Sequence, residues 1–181
     1  ETHVGIAQIA SDGAVTMWSN SQAPYNFVRD MGNALDLPYN MIRVISTGIG
    51  GGFGSKIYLR PEPLAVALAK FADGKPVKHA FTREEEFTSC VTKHPTHLTF
   101  KTGVKRDGTL VARKITAIFN TGGYADTGPQ VARNGAFSGT GPYRLDNIWV
   151  DSYCVYTNNP QAGAFRGYGV PQLTWAHESQ M

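Results

Sequence analysis

The segment Gly48-Ile49-Gly50-Gly51-Gly52-Phe53-Gly54-Ser55-Lys56 places five glycines in the seven positions 48–54, between a stretch with strand pattern and one with helix pattern. Such a run is foreign to the interior of a regular element, because glycine loses more backbone freedom on ordering than any other residue and brings no side chain to pack. The fold must therefore carry a strand into a helix through a loop stripped of side chains. Backbone amides in such a loop can approach a ligand closely, and the amino end of the next helix favours anions. Crowding by a neighbouring element selects glycine too, so the run alone leaves a ligand reading and a packing reading open. Two nucleotide signatures fail on spacing. GxGxxG requires glycine at Phe53, Ser55 or Ile57, depending on register, and a phosphate loop requires Gly-Lys-Ser or Gly-Lys-Thr, whereas Ser55 separates Gly54 from Lys56.

Periodicity supplies the elements around the loop. Residues 4–9 and 15–18 flank Ser11-Asp12-Gly13, which predicts a hairpin. Pro24, Phe27, Val28, Met31, Ala34 and Leu35 recur at three- and four-residue steps, one face of a helix ending near Asp36-Leu37-Pro38. Residues 42–45 read as a short strand. Leu64, Ala67, Leu68, Phe71 and Ala72 predict the apolar stripe of a second helix that stops at Asp73-Gly74. A strand over 77–81 precedes Thr82-Arg83-Glu84-Glu85, a capping box. Residues 96–104 and 110–120 alternate around Arg106-Asp107-Gly108 as a second hairpin, and 148–156 is a last strand. The helix from Pro171 to Met181 has no closing signal, so the chain is expected to be a piece truncated at both ends. Helices and hairpins without a βαβ rhythm predict an α+β fold, with mixed sheets and packed helices, residues 1–181 forming a single partial domain. No internal repeat is visible.

Apolar residues make up 41% of the chain and charged residues only 17%, below the usual quarter or so, which suggests that part of the surface is partnered. The net charge of +3 is scattered, its longest run being Glu84-Glu85-Glu86, and argues against nucleic-acid binding. No apolar run approaches the roughly 20 residues of a membrane helix, and Glu1-Thr2-His3 does not read as a secretory leader. Cys90 and Cys154 form no CxxC pair, which predicts neither structural zinc nor an iron–sulfur cluster within the chain and points to a reducing, cytoplasmic setting.

A second strand-to-helix loop, Asn158 to Gln172, sets Phe165, Arg166 and Tyr168 among small residues. Arginine suits an oxyanion, and an aromatic ring beside it can stack on a planar substrate. An ordinary turn with Phe165 and Tyr168 core-facing and Arg166 outward has the same composition. Gln22, where a strand gives way to a helix, can donate to an oxo group and accept from another ligand, or simply face solvent. Arg133, just after Gly128-Pro129-Gln130, is a weaker candidate of the same kind.

Taken in order, Ser21-Gln22, Gly50-Gly51-Gly52-Phe53-Gly54-Ser55-Lys56, Gly74-Lys75-Pro76-Val77 with Thr82-Arg83-Glu84-Glu85, Ala164-Phe165-Arg166-Gly167-Tyr168-Gly169 and Pro171-Gln172 make the chain resemble the molybdenum-binding subunit of the xanthine dehydrogenase and aldehyde oxidase family along essentially its whole length. The resemblance implies part of a larger molybdopterin-binding domain, with molybdenum held by molybdopterin or its cytosine dinucleotide. It implies cofactor contacts at Gln22, Gly51, Gly52, Phe53, Gly54, Ala164, Phe165 and Arg166, with Gln22 and Phe53 near the metal without ligating it. Tyr168, Arg133 and Ile57 fall toward the substrate. The family's catalytic base is a glutamate near the far carboxyl end of the complete subunit, so no catalytic residue is expected here, and Glu178 is in the wrong context to replace it. In that family, substrates are hydroxylated with oxygen from water, and electrons leave through 2Fe-2S clusters and usually FAD. The implied partners are therefore the rest of the molybdenum subunit, an iron–sulfur subunit, a FAD subunit and a small-molecule substrate. Ile57 stands where purine oxidisers generally carry glutamate, and Gly167-Tyr168 where carbon monoxide dehydrogenases place a copper-binding cysteine. The expected substrate is an aldehyde or nitrogen heteroaromatic, and the piece is expected to be inactive alone. The alternative is a non-catalytic module that docks to redox subunits, motivated by the low charge content.

Overall fold

The computed structural model describes residues 1–181, which divide into two compact units, Glu1–Cys90 and Val91–Met181. In the first, β1 (Val4–Ile9) and β2 (Val15–Ser19) form the expected antiparallel hairpin. Its turn closes on Gly13 at φ 86°, with the Ala14 amide donating to the Asp12 carboxylate. Helix α1 (Pro24–Leu35) then carries the chain to β3 (Ile42–Ser46), which pairs parallel to β2. Asp36 ends α1 in the left-handed conformation. After the glycine loop come α2 (Glu62–Ala69), β4 (Val77–Ala80) on the free edge of β1, and α3 (Arg83–Ser89) with its capping box formed. The sheet order is β3-β2-β1-β4. Ala7, Met17, Met31, Val66 and Ala69 form the core beneath α1 and α2.

The second unit repeats this plan. A hairpin of β5 (Thr96–Val104) and β6 (Leu110–Gly122) is followed by α4 (Gly128–Ser138), by β7 (Asn147–Tyr156) parallel to β6, and by α5 (Val170–Gln180). Along β6 the odd positions from Arg113 to Thr121 are buried, and Ile115 and Phe119 pack against Val131 and Leu173. Even the hairpin turns agree, since the Thr109 amide donates to Asp107 as that of Ala14 does to Asp12, and Gly108 has φ 87°. The architecture is mixed α and β, as expected, with parallel third strands that hairpin patterns alone do not reveal.

The structure departs from the sequence reading at α2 and adds to it at α4. The stripe predicted for α2 faces outward: Leu64, Leu68 and Phe71 are exposed, whereas Ala65, Val66 and Ala69 are buried. The cause is close approach to β1, where a Cβ on Gly5 would lie 2.8 Å from the Glu62 side chain, so the face with Glu62, Ala65, Val66 and Ala69 meets the sheet and the bulkier leucines point away. Helix α4 falls in a stretch to which periodicity assigns no element, where Gly128, Pro129, Asn134 and Gly135 are poor helix formers. Packing overrides that propensity: a Cβ on Gly135 would sit 2.6 Å from the Phe119 ring, so glycine is what lets α4 lie on β6.

Candidate functional site

Because β2 and β3 run parallel with Ser19 beside Ser46, residues 20–23 and the glycine loop leave the same end of the sheet. Carboxyl ends of neighbouring parallel strands are where open α/β sheets gather ligands. The loop folds back on Gln22, whose side-chain carbonyl accepts from the amides of Gly54 at 2.9 Å and Lys56 at 3.3 Å. Its main-chain amide donates to the Lys56 carbonyl at 2.8 Å. The accepting end of Gln22 is thus committed, and its NH2 end is the group this exposed residue offers outward. A Cβ on Gly52 would lie 2.2 Å from the Gln22 oxygen, so any other residue there would displace the amide.

Phe53 is exposed and holds φ 51°, a conformation that costs a bulky residue on the order of 1–3 kcal/mol. Gly54 follows at φ 97°, and the Ser55 amide closes the turn on the Gly52 carbonyl at 2.9 Å, the pattern of a type I′ turn. A Cβ on Gly51 would lie 2.7 Å from the Phe53 ring, which covers it. Lys56 is buried, its ammonium turned in on the Glu1 carboxylate and the Ile49 carbonyl. It closes the loop from behind, in keeping with the failed phosphate-loop spacing. Ile57 is half-buried in the short 3₁₀ turn that follows, Ser55–Ile57.

In the second unit β6 and β7 run parallel with Gly122 beside Tyr156, so the loop after β7 leaves the corresponding end. Residues just ahead of β5 brace it. Thr92 bridges to Ala162, and Lys93 donates to the Arg166 carbonyl at 3.1 Å while standing 5.4 Å from the Phe165 ring centre. Ala164 is buried; Phe165 and Arg166 are exposed. Tyr168 at φ 48° and Gly169 at φ 94° then repeat the Phe53-Gly54 turn, with the Val170 amide closing on the Gly167 carbonyl at 3.0 Å. Tyr168 and Arg133 line one cavity of about 280 Å³ with Gln130, Asn134 and Phe137. Asn134 fixes the Tyr168 backbone by donating to its carbonyl at 2.7 Å, and the Arg133 guanidinium lies 5.6 Å from the Phe137 ring centre.

The structure thus joins Gln22 to Gly52, Gly54 and Lys56 in one unit, and Arg133 to Tyr168 in the other. Sequence reasoning missed Lys93, Asn134 and His3. Their roles come from partners 73, 34 and 52 residues away, and no local pattern marks them. A larger, mostly apolar cavity of about 470 Å³, between Ile9, Val15, Leu37 and Val66 with Ser11, Lys70 and Asp73 also on its lining, lies at the opposite end of the first sheet from the glycine loop.

The sequence profile of the molybdopterin cofactor-binding domain matches residues 1–181. The chain is 38% identical over all 181 residues to a probable xanthine dehydrogenase subunit of Bacillus subtilis, spanning 24% of that protein. It is also 38% identical to the nicotinate dehydrogenase large molybdopterin subunit of Eubacterium barkeri, spanning 42% of it. Among solved structures, the aldehyde oxidoreductase from Desulfovibrio gigas superposes with a TM-score of 0.86 at 25% identity, over the whole chain and 21% of that protein. No helix is long and apolar enough to cross a membrane.

Proposed function

The chain belongs to the molybdopterin cofactor-binding domain family, and from that premise we propose that it supplies cofactor- and substrate-contacting loops of a molybdenum hydroxylase acting on an aldehyde or nitrogen heteroaromatic. The observation that carries the reading is Gln22. Two backbone amides of the glycine loop hold its carbonyl, which commits the oxygen and leaves the NH2 of this exposed residue as the donor beside the loop. That NH2 fits an oxo or phosphate oxygen, and Gly48 and Gly50 bring no side chain to the loop. Gly51, Gly52, Phe53 and Gly54 would contact the cofactor through their backbone, and Ala164, Phe165 and Arg166 would be cofactor contacts as well. Gln22 and Phe53 stand near the metal without ligating it.

When bound, molybdenum with molybdopterin or its cytosine dinucleotide supplies the exchange of oxygen and electrons with substrate and water. This chain's residues bind, orient and exclude water. Arg133 and Tyr168 orient the substrate from their shared cavity, and Ile57 removes the carboxylate that a purine would use. The base, the 2Fe-2S and FAD centres and the remaining cofactor contacts belong to further sequence or partner subunits, so these 181 residues are inactive alone. Two free thiols are in keeping with the cytoplasm.

The test is to purify the complete protein carrying these residues and to measure molybdenum, pterin and turnover of an aldehyde and of an N-heteroaromatic acid. Molybdenum and pterin near one per chain are expected. Gln22→Ala is expected to lower kcat about a hundredfold, as loss of a preorganised donor does elsewhere, and Arg166→Ala to lower cofactor content. A fully assembled protein lacking both molybdenum and pterin defeats the reading. Unchanged turnover in both variants favours the scaffold alternative.

A further inference from the structure

His3, just ahead of β1, is buried at 8% exposure and stands between two elements that the sequence does not connect. On one side its Nδ1 lies 2.8 and 3.0 Å from the two carboxylate oxygens of Glu86 in α3, and its main-chain amide also donates to Glu86. On the other its Nε2 lies 3.2 Å from the Ser55 hydroxyl, directly after Gly54. We propose that Ser55, His3 and Glu86 form a directed hydrogen-bond chain that positions the glycine loop, with His3 and Ser55 as positioning residues for the amides that hold Gln22.

The direction of the chain follows from which atoms can carry protons. An ionised carboxylate only accepts, so Nδ1 carries a hydrogen and donates to Glu86; in the neutral imidazole Nε2 is then the acceptor, and the Ser55 hydroxyl donates to it. Cys90, 3.5 Å from Nδ1, completes the cluster. Burial, followed by the hydrogen bond and charge of Glu86, pushes its thiol up to about 12, so it stays protonated and donates to Glu86 as well. Burial alone would raise the Glu86 carboxyl. The bonds from Cys90 and from the His3 main chain and ring outweigh it and hold that carboxyl below its usual range. His3, Glu86 and Cys90 bring the donor types of a zinc site within 4.8 Å of one another, yet Nδ1 and the thiol both carry protons aimed at the carboxylate. A hydrogen-bond chain is what this arrangement supports.

The glycine loop needs such an anchor. Across residues 48–54 only Ile49 and Phe53 have side chains, and neither can hydrogen-bond. The loop is therefore fixed where side chains resume, at Ser55 and Lys56. Ser55 lies between the two amides that hold Gln22, so the hydroxyl bond to His3 sets the aim of both.

This inference rests on the cofactor reading of the loop, and its test separates the two. In the complete protein, amide hydrogen exchange of the peptide spanning residues 50–57 is measured for Ser55→Ala, His3→Asn and the double variant. Asparagine places its NH2 near the Nδ1 position, so it keeps the Glu86 arm and cuts the Ser55 arm. Each single change is expected to speed exchange of this peptide about fivefold, the worth of one hydrogen bond. The double variant should add nothing further, Ser55→Thr should restore protection, and the thermal midpoint should stay within the scatter of repeat scans. Unchanged exchange in the singles, or single effects that multiply in the double, overturns the chain. Should His3→Asn fail to fold, Ser55→Ala against Ser55→Thr decides. Exchange is read whether or not molybdenum is bound: a protein without cofactor but with the expected pattern sinks only the cofactor reading, and a loaded protein with indifferent exchange sinks only the anchor.

Discussion

Phe53 and Tyr168 both hold a left-handed backbone, at φ 51° and 48°, each followed by a glycine near φ 95° that starts a helical turn. An aromatic residue kept in that conformation marks a place where the fold overrules local preference, and both instances fall in the loops proposed to meet cofactor and substrate. The cost is measurable without touching ring contacts. Phe53→Ala keeps the strain while Phe53→Gly relieves it, so the glycine variant should be the more stable by about 1 kcal/mol in denaturant unfolding, despite glycine's freer unfolded chain. The same order is expected at Tyr168, and equal midpoints for alanine and glycine would refute strain at that site. At this scale the sequence was partly readable. Glycine-aromatic-glycine stands in plain view twice, at 52–54 and 167–169, and Gln22 was visible as an amide at a strand end. Which end of that amide faces out was not visible, because Gly54 and Lys56 decide it from more than thirty residues away.

Helix α3 is seven residues long and buries none of them, so its start depends on the capping box. The Thr82 hydroxyl accepts from the Glu85 amide at 3.2 Å, and the Glu85 carboxylate accepts from the Thr82 amide at 2.7 Å. Thr82→Ala should cost about 1 kcal/mol and speed amide exchange through α3. Because α3 carries Glu86, the glycine loop should loosen with it. Loosening of α3 that leaves residues 50–57 fully protected would show that the two are uncoupled. Capping boxes and Asp-Gly hairpins were legible because their physics is local, settled within three to five residues. The burial face of α2 and the existence of α4 were not. Both depend on how near a sheet the helix backbone lies, which Gly5, Gly128 and Gly135 fix, and a glycine whose task is close packing looks the same in sequence as one in a loop.

Across the molecule each unit is a hairpin, a crossover helix, a parallel third strand and a second helix, and each sends its glycine-bearing loop from the end of that third strand. The repeat escaped sequence inspection because the same plan is filled with different side chains. The segment ahead of the first strand shows this well: both units place a buried histidine there, His3 and His94, in opposite electrostatic settings. His3 has a carboxylate beside it, whereas His94, at 2% exposure, has no hydrogen-bond partner on either ring nitrogen. Burial holds the His94 imidazole below its ordinary value, only partly offset by the charge of Asp126. The consequence for stability has a definite sign. The unfolded chain takes up this proton at about pH 6.5 and the folded chain only at lower pH, so the unfolded state binds more protons in between. Stability from keeping His94 neutral is therefore fully present above about pH 6.5 and is lost as pH falls toward the folded value. Denaturant midpoints measured from pH 8 to pH 5 should fall more steeply below pH 6.5 for the native protein than for His94→Gln, whose buried amide does not titrate. The variant's lower stability at every pH would be immaterial, since only the difference in slope carries the argument. Parallel curves would mean that the imidazole is not held neutral by its burial.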